Sequence, residues 1–283
     1  MSDCALPGLA RAQADLVRKW FPHAQLVADH SWGLTDTAVL HLRTVAGDVV
    51  VKAGARGNHH IGREITAHEH WVGVWARIGR APTLLHAARD QVVLATAYLP
   101  GRLVQDDPAE RHPDTYRQAG LLLRALHDQA MRVDAGYEAA MDAKALAWLD
   151  RPHRIAPRTE RRLRERVATH PGGPATLVPT HGDWQPRNWL VDAGRVSAID
   201  FGRADWRTAD TDLARLAVQQ FVERPDLEAA FLDGYGRDPR DPEGWTRVQL
   251  REAIGTAVWA HQVGDDAFEA QGHAMIHAAL DAD

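Results

Sequence analysis

Apolar and polar positions along the first part of the chain predict one helix followed by a group of strands. Residues 7–21 carry apolar side chains at helical spacing, with Pro7 suited to a helix start. Three short segments rich in β-branched residues follow, at 24–30, 37–44 and 48–53. We therefore expect an antiparallel sheet near this end of the chain.

A second helix and a further hairpin complete this region. Residues 60–79 are amphipathic at helical spacing, and the segments 83–90 and 91–99 are typical of the two strands of a hairpin. Pro100 and Gly101 then favour a sharp turn. This order predicts an antiparallel sheet with one helix packed on it.

Beyond about residue 112 the pattern changes to long helices. They are expected at 112–130, 138–150 and 156–169, and again between breaks at Pro225, residues 234–236 and Gly264 in the remainder, 209–283. Two apolar runs around Asp192-Ala193-Gly194 predict a small hairpin within this part.

The predicted fold class is α+β, with two lobes. A small antiparallel β lobe with one packed helix is expected at 1–100, and a larger, mainly helical lobe at 101–283. A cleft between two lobes is a common place for a small-molecule site.

Composition narrows the class of protein. The chain has 283 residues, of which 45% are apolar and 25% charged, as in ordinary globular proteins. No uncharged apolar window of about 18 residues predicts a membrane span, and the N-terminus lacks a signal-peptide pattern. Cys4 is the only cysteine, which excludes an intrachain disulfide and a thiolate metal cluster. We expect a cytoplasmic protein, either a monomer or a homodimer.

Charge is unevenly distributed along the chain. Residues 181–283 contain 19 acidic and 10 basic side chains, although the net charge of the whole chain is only −5. This balance disfavours nucleic acid as a partner and would attract a cationic small molecule. Among the basic residues, 30 are Arg and only three are Lys: Lys19, Lys52 and Lys144.

Three polar residues flank the apolar runs of the predicted hairpin. Asp183 and Asn188 precede it and Asp200 follows it, so the hairpin would bring these side chains together. One or two carboxylates with other oxygen ligands suit Mg²⁺, which usually also binds substrate phosphate. A further carboxylate beside such a site can orient an attacking hydroxyl and accept its proton.

This arrangement resembles the aminoglycoside phosphotransferase family of the protein-kinase-like superfamily. The family segment HGDxxxxN is present as residues 181–188, and its IDF segment as residues 199–201. The resemblance implies that Asp183 is the catalytic base and that Asn188 and Asp200 bind Mg²⁺. By the same resemblance the fold is kinase-like and ATP is the phosphoryl donor.

The resemblance also implies nucleotide contacts in the first 100 residues. Lys52 ends an apolar strand run and would contact the α and β phosphates, steadied by Glu64 or, as an alternative, by Glu69. The phosphate-covering loop would include Ser31, Gly33 and Thr35, and the residues that pair with adenine would be Tyr98 and Leu99.

The acceptor is expected to be a small cationic molecule, with an aminoglycoside or cyclic-peptide antibiotic as the first interpretation. Six acidic residues are candidates for contact with its cationic groups: Asp210, Asp212, Glu223, Glu252, Asp265 and Asp266. Trp184 and Trp206 are candidates to line the same pocket. His181 is interpreted as a buried residue that shapes the loop.

Other hypotheses remain open. The acceptor could be a metabolite alcohol such as choline, a sugar or a methylthioribose-like compound, or the chain could bind nucleotide without turnover. His127-Asp128 is similar to the HD pair of metal phosphohydrolases, which predicts an all-helical chain. His60, Glu64 and His68 share a helical face and could in principle bind zinc.

Overall fold

The computed structural model describes residues 6–33, 36–170 and 172–281. The chain forms two compact units, each assembled from three segments of the sequence. Unit 1 comprises Met1–Leu126, His181–Asp205 and Ala230–Gly236, and unit 2 comprises His127–Thr180, Trp206–Ala229 and Arg237–Asp283. The functional division at residue 100 stays a prediction.

Helices and strands are both abundant. The helices are α1 (Arg11–Trp20), α2 (His59–His70), α3 (Gly73–Ala76), α4 (Pro113–His127), α5 (Tyr137–Leu149), α6 (Pro157–Ala168), α7 (Ala214–Gln219), α8 (Pro225–Tyr235), α9 (Trp245–Val263) and α10 (Asp266–Asp281). The strands are β1 (Gln25–Asp29), β2 (Ala38–Thr44), β3 (Gly47–Ala53), β4 (Leu84–Ala88), β5 (Val93–Ala97), β6 (Arg102–Leu103), β7 (Arg132–Asp134), β8 (Ala175–Thr180), β9 (Trp189–Asp192), β10 (Arg195–Ala198) and β11 (Asp205–Arg207). The described residues also form 3₁₀ helices at Pro108–Arg111, Pro186–Asn188 and Ala209–Leu213.

Five strands of unit 1 form an antiparallel sheet in the order β1-β2-β3-β5-β4. Successive side chains of a strand point to opposite faces. Leu40, Leu42 and Val51 lie on the face that packs against Val17 of α1. Lys52 follows Val51 and therefore points to the other face. A five-stranded sheet in this region rules out the all-helical HD phosphohydrolase hypothesis.

Helix α2 packs on the sheet, as predicted, but it is shorter than the expected 60–79. Asn58 caps its N-terminus by accepting hydrogen bonds from the N–H groups of His60 and Ile61, at 2.9 and 3.4 Å. The helix ends at His70, and α3 forms after a break. Trp75 of α3 is fully buried and donates to the Leu122 carbonyl at 2.9 Å, so burial of this ring accompanies the break.

The hairpin of β9 and β10 is confirmed. Asp192 pairs with Arg195, and the two residues between them, Ala193 and Gly194, have φ values of 46° and 77°. Positive φ at both central positions is the geometry of a type I′ turn, which matches the twist of hairpin strands. Strand β6 extends this hairpin to a three-stranded sheet, which the sequence did not predict.

The predicted helices of unit 2 are present, but its sheet was missed. Strands β7, β8 and β11 form a second three-stranded sheet. Strand β8 contains Pro179, which lacks a backbone N–H and weakens the strand pattern. The expected breaks at Pro225 and Gly264 are confirmed as the start of α8 and the left-handed end of α9. No helix in the described part of the chain is long and apolar enough to span a membrane.

Candidate active site

The lysine near the end of β3 is paired with a glutamate of α2. Lys52 Nζ lies 2.9 Å from Oε1 and 3.0 Å from Oε2 of Glu64. The alternative partner, Glu69, points elsewhere, because its Oε2 lies 2.6 Å from Arg89 Nη2. The Glu64 side chain is buried, at 5% exposure, so this ion pair is shielded from water on the helix side.

The β9–β10 hairpin places Asn188 beside the segment that carries Asp200. Ala198 pairs with Trp189 at the end of the ladder, and the next residue, Ile199, donates its N–H to the Asn188 carbonyl at 3.0 Å. Asp200 follows with φ 66°, a left-handed conformation that Asp adopts more readily than most residues. The strand pairing and this turn therefore bring the two side chains into one region.

Lys52 also contacts this region. Its Nζ lies 2.9 Å from Asp200 Oδ1. The Lys52 charge holds the pKa of Asp200 below its ordinary value, against the opposing effects of partial desolvation and of the Asp183 charge. Burial acts to lower the pKa of Lys52, but the charges of Asp200 and Glu64 outweigh it and the pKa is raised. At neutral pH Lys52 is therefore cationic and Asp200 anionic.

The Asp183 carboxylate accepts hydrogen bonds from its own segment. Gln185 Nε2 lies 2.5 Å from Oδ1. At Oδ2, Arg187 Nη2 lies at 2.7 Å and Asn188 Nδ2 at 2.9 Å. The short 3₁₀ helix Pro186–Asn188 makes these contacts possible, because it turns the chain back over Asp183. The orientation of Asp183 is therefore set before any ligand binds.

Buried rings pack beneath both motifs. His181 Nε2 lies 3.1 Å from the Ile199 carbonyl, which can only accept, so Nε2 donates. The His181 ring centroid lies 5.2 Å from those of Phe201 and Trp184, and His68 of α2 lies 5.2 Å from Phe201. This packing agrees with the prediction that His181 shapes the loop.

Helix α2 makes one more contact with the segment after Asp200. His60 Nδ1 donates to the Gly202 carbonyl at 3.0 Å. A side chain at Gly202 would bring its Cβ within 3.3 Å of the His60 Cβ, so glycine permits this close approach. Across residues 6–33, 36–170 and 172–281, no group of three or more His, Cys, Asp or Glu side chains is placed to hold a metal ion. The zinc hypothesis for His60, Glu64 and His68 is therefore not supported.

The sequence matches one described family over most of its length. The model of the "Phosphotransferase enzyme family", abbreviated APH, matches residues 35–251, which is more than half of the chain. The chain belongs to the phosphotransferase enzyme family. Among curated proteins, none matched this phosphotransferase.

Solved structures agree in fold. A complex of aminoglycoside phosphotransferase APH(4)-Ia with ADP and hygromycin B has a TM-score of 0.71 at 12% identity, covering 94% of this chain and 97% of that one. Choline kinase LicA from Streptococcus pneumoniae has a TM-score of 0.70 at 12% identity, covering 95% and 97%. Macrolide 2'-phosphotransferase MphH from Brachybacterium faecium has a TM-score of 0.61 at 20% identity, covering 97% of this chain and 99% of that one. The predicted α+β, protein-kinase-like fold class is confirmed.

The predicted phosphate-covering loop of the phosphotransferase lies between β1 and β2. Ser31 Oγ donates to Asp29 Oδ1 at 2.5 Å and accepts from the Val39 N–H at 3.0 Å, which fixes the start of the loop. Gly33 has open space where a Cβ would be. Thr35 lies outside the described residues. The nucleotide contacts of all three stay predictions.

The predicted hinge residues follow β5. Tyr98 donates its N–H to the Asp48 carbonyl at 2.9 Å, and its ring stacks on His41 with centroids 4.2 Å apart. His41 lies two residues from the cross-strand partner of Lys52, so both side chains point to the same face of the sheet. Tyr98 therefore packs on the Lys52 face, and Leu99, which follows it, is half-buried.

Two of the acidic residues predicted to bind the acceptor are buried. Asp210 is 3% and Asp212 2% exposed. Burial raises the pKa of Asp210, and Asp212 Oδ2 lies 3.1 Å from His127 Nε2. Neither carboxylate has the surface that an acceptor contact requires, so this structure does not support that role for them. Glu223, by contrast, is exposed.

The other three acidic candidates lie nearer the surface of unit 2 and have partners. Glu252 Oε1 lies 2.6 Å from Arg215 Nε, and Asp266 Oδ1 lies 3.1 Å from Arg154 Nη1. Asp265 Oδ1 accepts the N–H of a residue in the first turn of α10 at 3.0 Å. A cationic acceptor would have to compete with these internal contacts.

The two tryptophan candidates differ in exposure. Trp184 is 1% exposed and packs between Trp75 and Trp189, with centroid distances of 5.5 and 5.3 Å. Because this ring does not reach the surface, its predicted acceptor contact is not supported. Trp206 is half-buried, with the Arg132 guanidinium 4.8 Å from its ring centroid.

The sequence interpretation missed three residues of the site. Gln185 and Arg187 lie at variable positions of the HGDxxxxN segment, to which the resemblance assigns no role. His60 was considered only as a zinc ligand. Its contact with Gly202 depends on how the helix packs, for which the sequence contains no local signal.

Proposed function

We propose that this phosphotransferase transfers the γ-phosphoryl group of ATP to a hydroxyl group of a small molecule. The observation that carries the proposal is the double contact of Lys52. Its ammonium pairs with Glu64 of α2 and with Asp200 after the hairpin, at 2.9 Å in each case. Asp183 and Asn188 are hydrogen-bonded to each other in the segment that precedes the same hairpin.

ATP fits the face of the sheet that carries Lys52. A cationic amine on this face can contact the α and β phosphates, and Glu64 restricts its movement. Tyr98, on the same face, lies where the backbone after β5 would pair with adenine. The relative APH(4)-Ia was solved with ADP, which supports a nucleotide donor for this chain.

Asn188 and Asp200 fit a magnesium ion by their donor chemistry. Asn188 donates through Nδ2 to Asp183, so its Oδ1 faces away from that bond and would be the ligand atom. Asp200 is anionic, and its side chain is 50% exposed. Mg²⁺ typically binds one or two carboxylates, phosphate and water, which agrees with the lack of a larger ligand cluster in the described residues. When bound, the ion would neutralise phosphate charge.

Asp183 would act on the acceptor. Its carboxylate orients the acceptor hydroxyl and takes its proton as the hydroxyl oxygen bonds to the γ-phosphorus. The bond from that phosphorus to the β–γ bridging oxygen breaks, and ADP leaves with the electron pair. The hydrogen bonds from Gln185 and Asn188 fix the carboxylate in place, so positioning supplies much of the rate gain.

For the acceptor we propose a cationic antibiotic of the aminoglycoside or cyclic-peptide type. The acidic excess of residues 181–283 supports this class. Glu223, Glu252, Asp265 and Asp266 are the candidates for the cation contacts, because each has an exposed or half-buried side chain. The relative APH(4)-Ia was solved with hygromycin B.

A metabolite amino alcohol such as choline is the second candidate. Choline kinase LicA matches the chain with a TM-score of 0.70, close to the 0.71 of APH(4)-Ia at the same 12% identity. Both candidates carry a positive charge and a hydroxyl group. They differ in size and in the number of charges, which a substrate panel can resolve.

The test is an ADP-release assay with MgATP against aminoglycosides, cyclic cationic peptides, macrolides, choline and neutral sugars. We expect turnover with at least one cationic acceptor, and a loss of about 10²–10⁴-fold in kcat for Asp183→Asn with nucleotide binding retained. Asp192→Asn, at the exposed end of strand β9 in the same hairpin, is the matched control and should behave as wild type. Turnover of neutral sugars alone would contradict the cationic acceptor, and full activity of Asp183→Asn would contradict its role as the base.

A further inference from the structure

The side chain of Arg187 lies against the proposed catalytic base. Its Nη2 donates to Asp183 Oδ2 at 2.7 Å, four residues back along the chain. The Asp183 side chain is 4% exposed, whereas that of Arg187 is 37% exposed. The guanidinium therefore has one end on the buried carboxylate and the rest towards solvent.

Arg187 is not needed to orient Asp183. Gln185 already donates to Oδ1, and Asn188 donates both to Oδ2 and to the Asp183 carbonyl. One donor at each carboxylate oxygen, Gln185 at Oδ1 and Asn188 at Oδ2, therefore fixes the direction of the carboxylate without the guanidinium. A cation paired with a general base also weakens its attraction for a proton. The position of Arg187 therefore calls for a further role.

The remaining donors of Arg187 can serve such a role. A guanidinium has five N–H donors in a planar fork that matches phosphate oxygens. Within the described residues, Asp183 is the only hydrogen-bond partner of the Arg187 side chain. The other N–H groups are thus available next to the carboxylate, which is where the reacting hydroxyl and the γ-phosphoryl group would meet.

We propose that Arg187 bridges Asp183 and the transferring phosphoryl group and stabilises the charge on the phosphoryl oxygens during transfer. This inference rests on the proposed function, because it takes Asp183 as the base. In the ground state Arg187 would contact the γ-phosphate of ATP, which ADP lacks. Arg187 is therefore expected to distinguish the two nucleotides even without an acceptor.

Calorimetric titration with AMP-PNP and with ADP, each with Mg²⁺, tests this without turnover. For Arg187→Met we expect a loss of about tenfold in affinity for AMP-PNP, the scale of one charged contact, and less than about twofold for ADP. The affinity of Arg187→Lys for AMP-PNP should lie between those of Arg187→Met and wild type, because lysine keeps the charge but lacks the planar set of N–H donors.

The matched control is Arg164→Met. Arg164 also pairs with an acid four residues away, Glu160, at 2.9 Å and with 35% of its side chain exposed, but it lies on α6 in unit 2. It should bind both nucleotides as wild type does. Melting temperatures of all variants exclude unfolding as the cause of a loss. If Arg187→Met does not fold, Arg187→Lys and Arg187→Gln provide the comparison.

Chemical rescue gives a second readout. In Arg187→Ala, millimolar guanidinium ion should restore part of kcat with the acceptor found in the panel, whereas it should not rescue Asp183→Asn. If Arg187→Met lost the same affinity for AMP-PNP as for ADP, or lost affinity for neither, the inference would be overturned and the proposed function would stay intact. A wild-type protein that binds neither nucleotide would instead contradict the proposed function itself.

Discussion

Lys52 Nζ and Asp200 Oδ1 lie 2.9 Å apart although 148 positions separate these residues in the chain. The contact joins β3 to the segment after the β9–β10 hairpin, and both elements belong to unit 1. Lys52 also pairs with Glu64, so one ammonium balances two carboxylates. Its removal would leave two acidic groups without their shared counter-charge.

Lys52→Met is therefore expected to impair nucleotide use more than acceptor use. We expect a decrease of about 10²-fold in kcat/KM for ATP, the usual scale for loss of one charged group that contacts the phosphates. The variant should also unfold at a lower temperature, because the buried Glu64 loses its partner. Steady-state kinetics with each substrate varied and thermal unfolding measure the two effects.

Lys19→Met is the control for that substitution. Lys19 is exposed near the end of α1, and its replacement removes the same charge from the surface. It should leave both the kinetics and the melting temperature unchanged. If Lys52→Met kept the wild-type kcat/KM for ATP, the phosphate contact would belong to another residue.

Glu64 and Glu69 provide a matched pair on α2. Glu64→Gln keeps the shape of the side chain but removes the charge that steadies Lys52, so we expect about a tenfold lower kcat/KM for ATP. Glu69→Gln loses only an exposed contact with Arg89, which is worth about 0–1 kcal/mol. It should retain full activity. An equal decrease in kcat/KM for ATP in the two variants would show that the Lys52–Glu64 contact does not contribute specifically to nucleotide use.

The part of the fold that follows hydrophobic periodicity could be predicted from the sequence. The strand order around α2 and the β9–β10 hairpin are examples, because short segments rich in β-branched residues and an Ala-Gly turn give local signals. Strand β6 has only two residues, and β8 contains Pro179, which weakens its strand pattern. Both strands form by pairing with segments far along the chain. Such strands leave almost no local pattern to recognise.

The candidate site shows the same contrast. The spacing of Asp183, Asn188 and Asp200 indicated one region, and the hairpin does bring them there. The burial of Trp184 and Asp212 could not be seen from the sequence, because it arises from packing against residues far along the chain, such as Trp75 and His127.

The pKa of His68 leads to a prediction about acid stability. Burial, with a smaller contribution from the Lys52 charge, lowers this pKa from 6.5 to about 3, and its Nε2 is buried without a hydrogen-bond partner among the described residues. Between those two values the unfolded chain binds a proton that the folded chain does not. The free energy of unfolding is therefore expected to decrease as the pH is lowered from about 6.5 to about 3. The decrease is at most about 1.4 kcal/mol per pH unit.

His68→Leu should remove this part of the pH dependence. We expect the free energy of unfolding of the variant, relative to wild type, to rise by about 2 kcal/mol between pH 7.5 and pH 5.0. Urea unfolding at the two values measures it, and His70→Leu, exposed on the same helix, is the control. Parallel pH profiles for wild type and His68→Leu would show that His68 is not the group responsible.

The last prediction concerns Asp212, which the sequence suggested as an acceptor contact. Its carboxylate lies 3.1 Å from His127 Nε2, and the side chains are 0% and 2% exposed. Because both groups are buried, removal of one leaves the other without this bond, at a cost of about 1–3 kcal/mol. His127→Leu and Asp212→Asn should therefore both lower the free energy of unfolding in urea while leaving the acceptor KM unchanged.

Asp128 provides the control for the His127–Asp212 pair. It follows His127 directly in the sequence but is exposed, so Asp128→Asn should leave the stability within about 0.5 kcal/mol of wild type. A double substitution of His127 and Asp212 should cost less than the sum of the single ones, because the interaction can be lost only once. If Asp212→Asn instead raised the acceptor KM at unchanged stability, the carboxylate would reach the acceptor through a rearrangement of the 3₁₀ helix Ala209–Leu213.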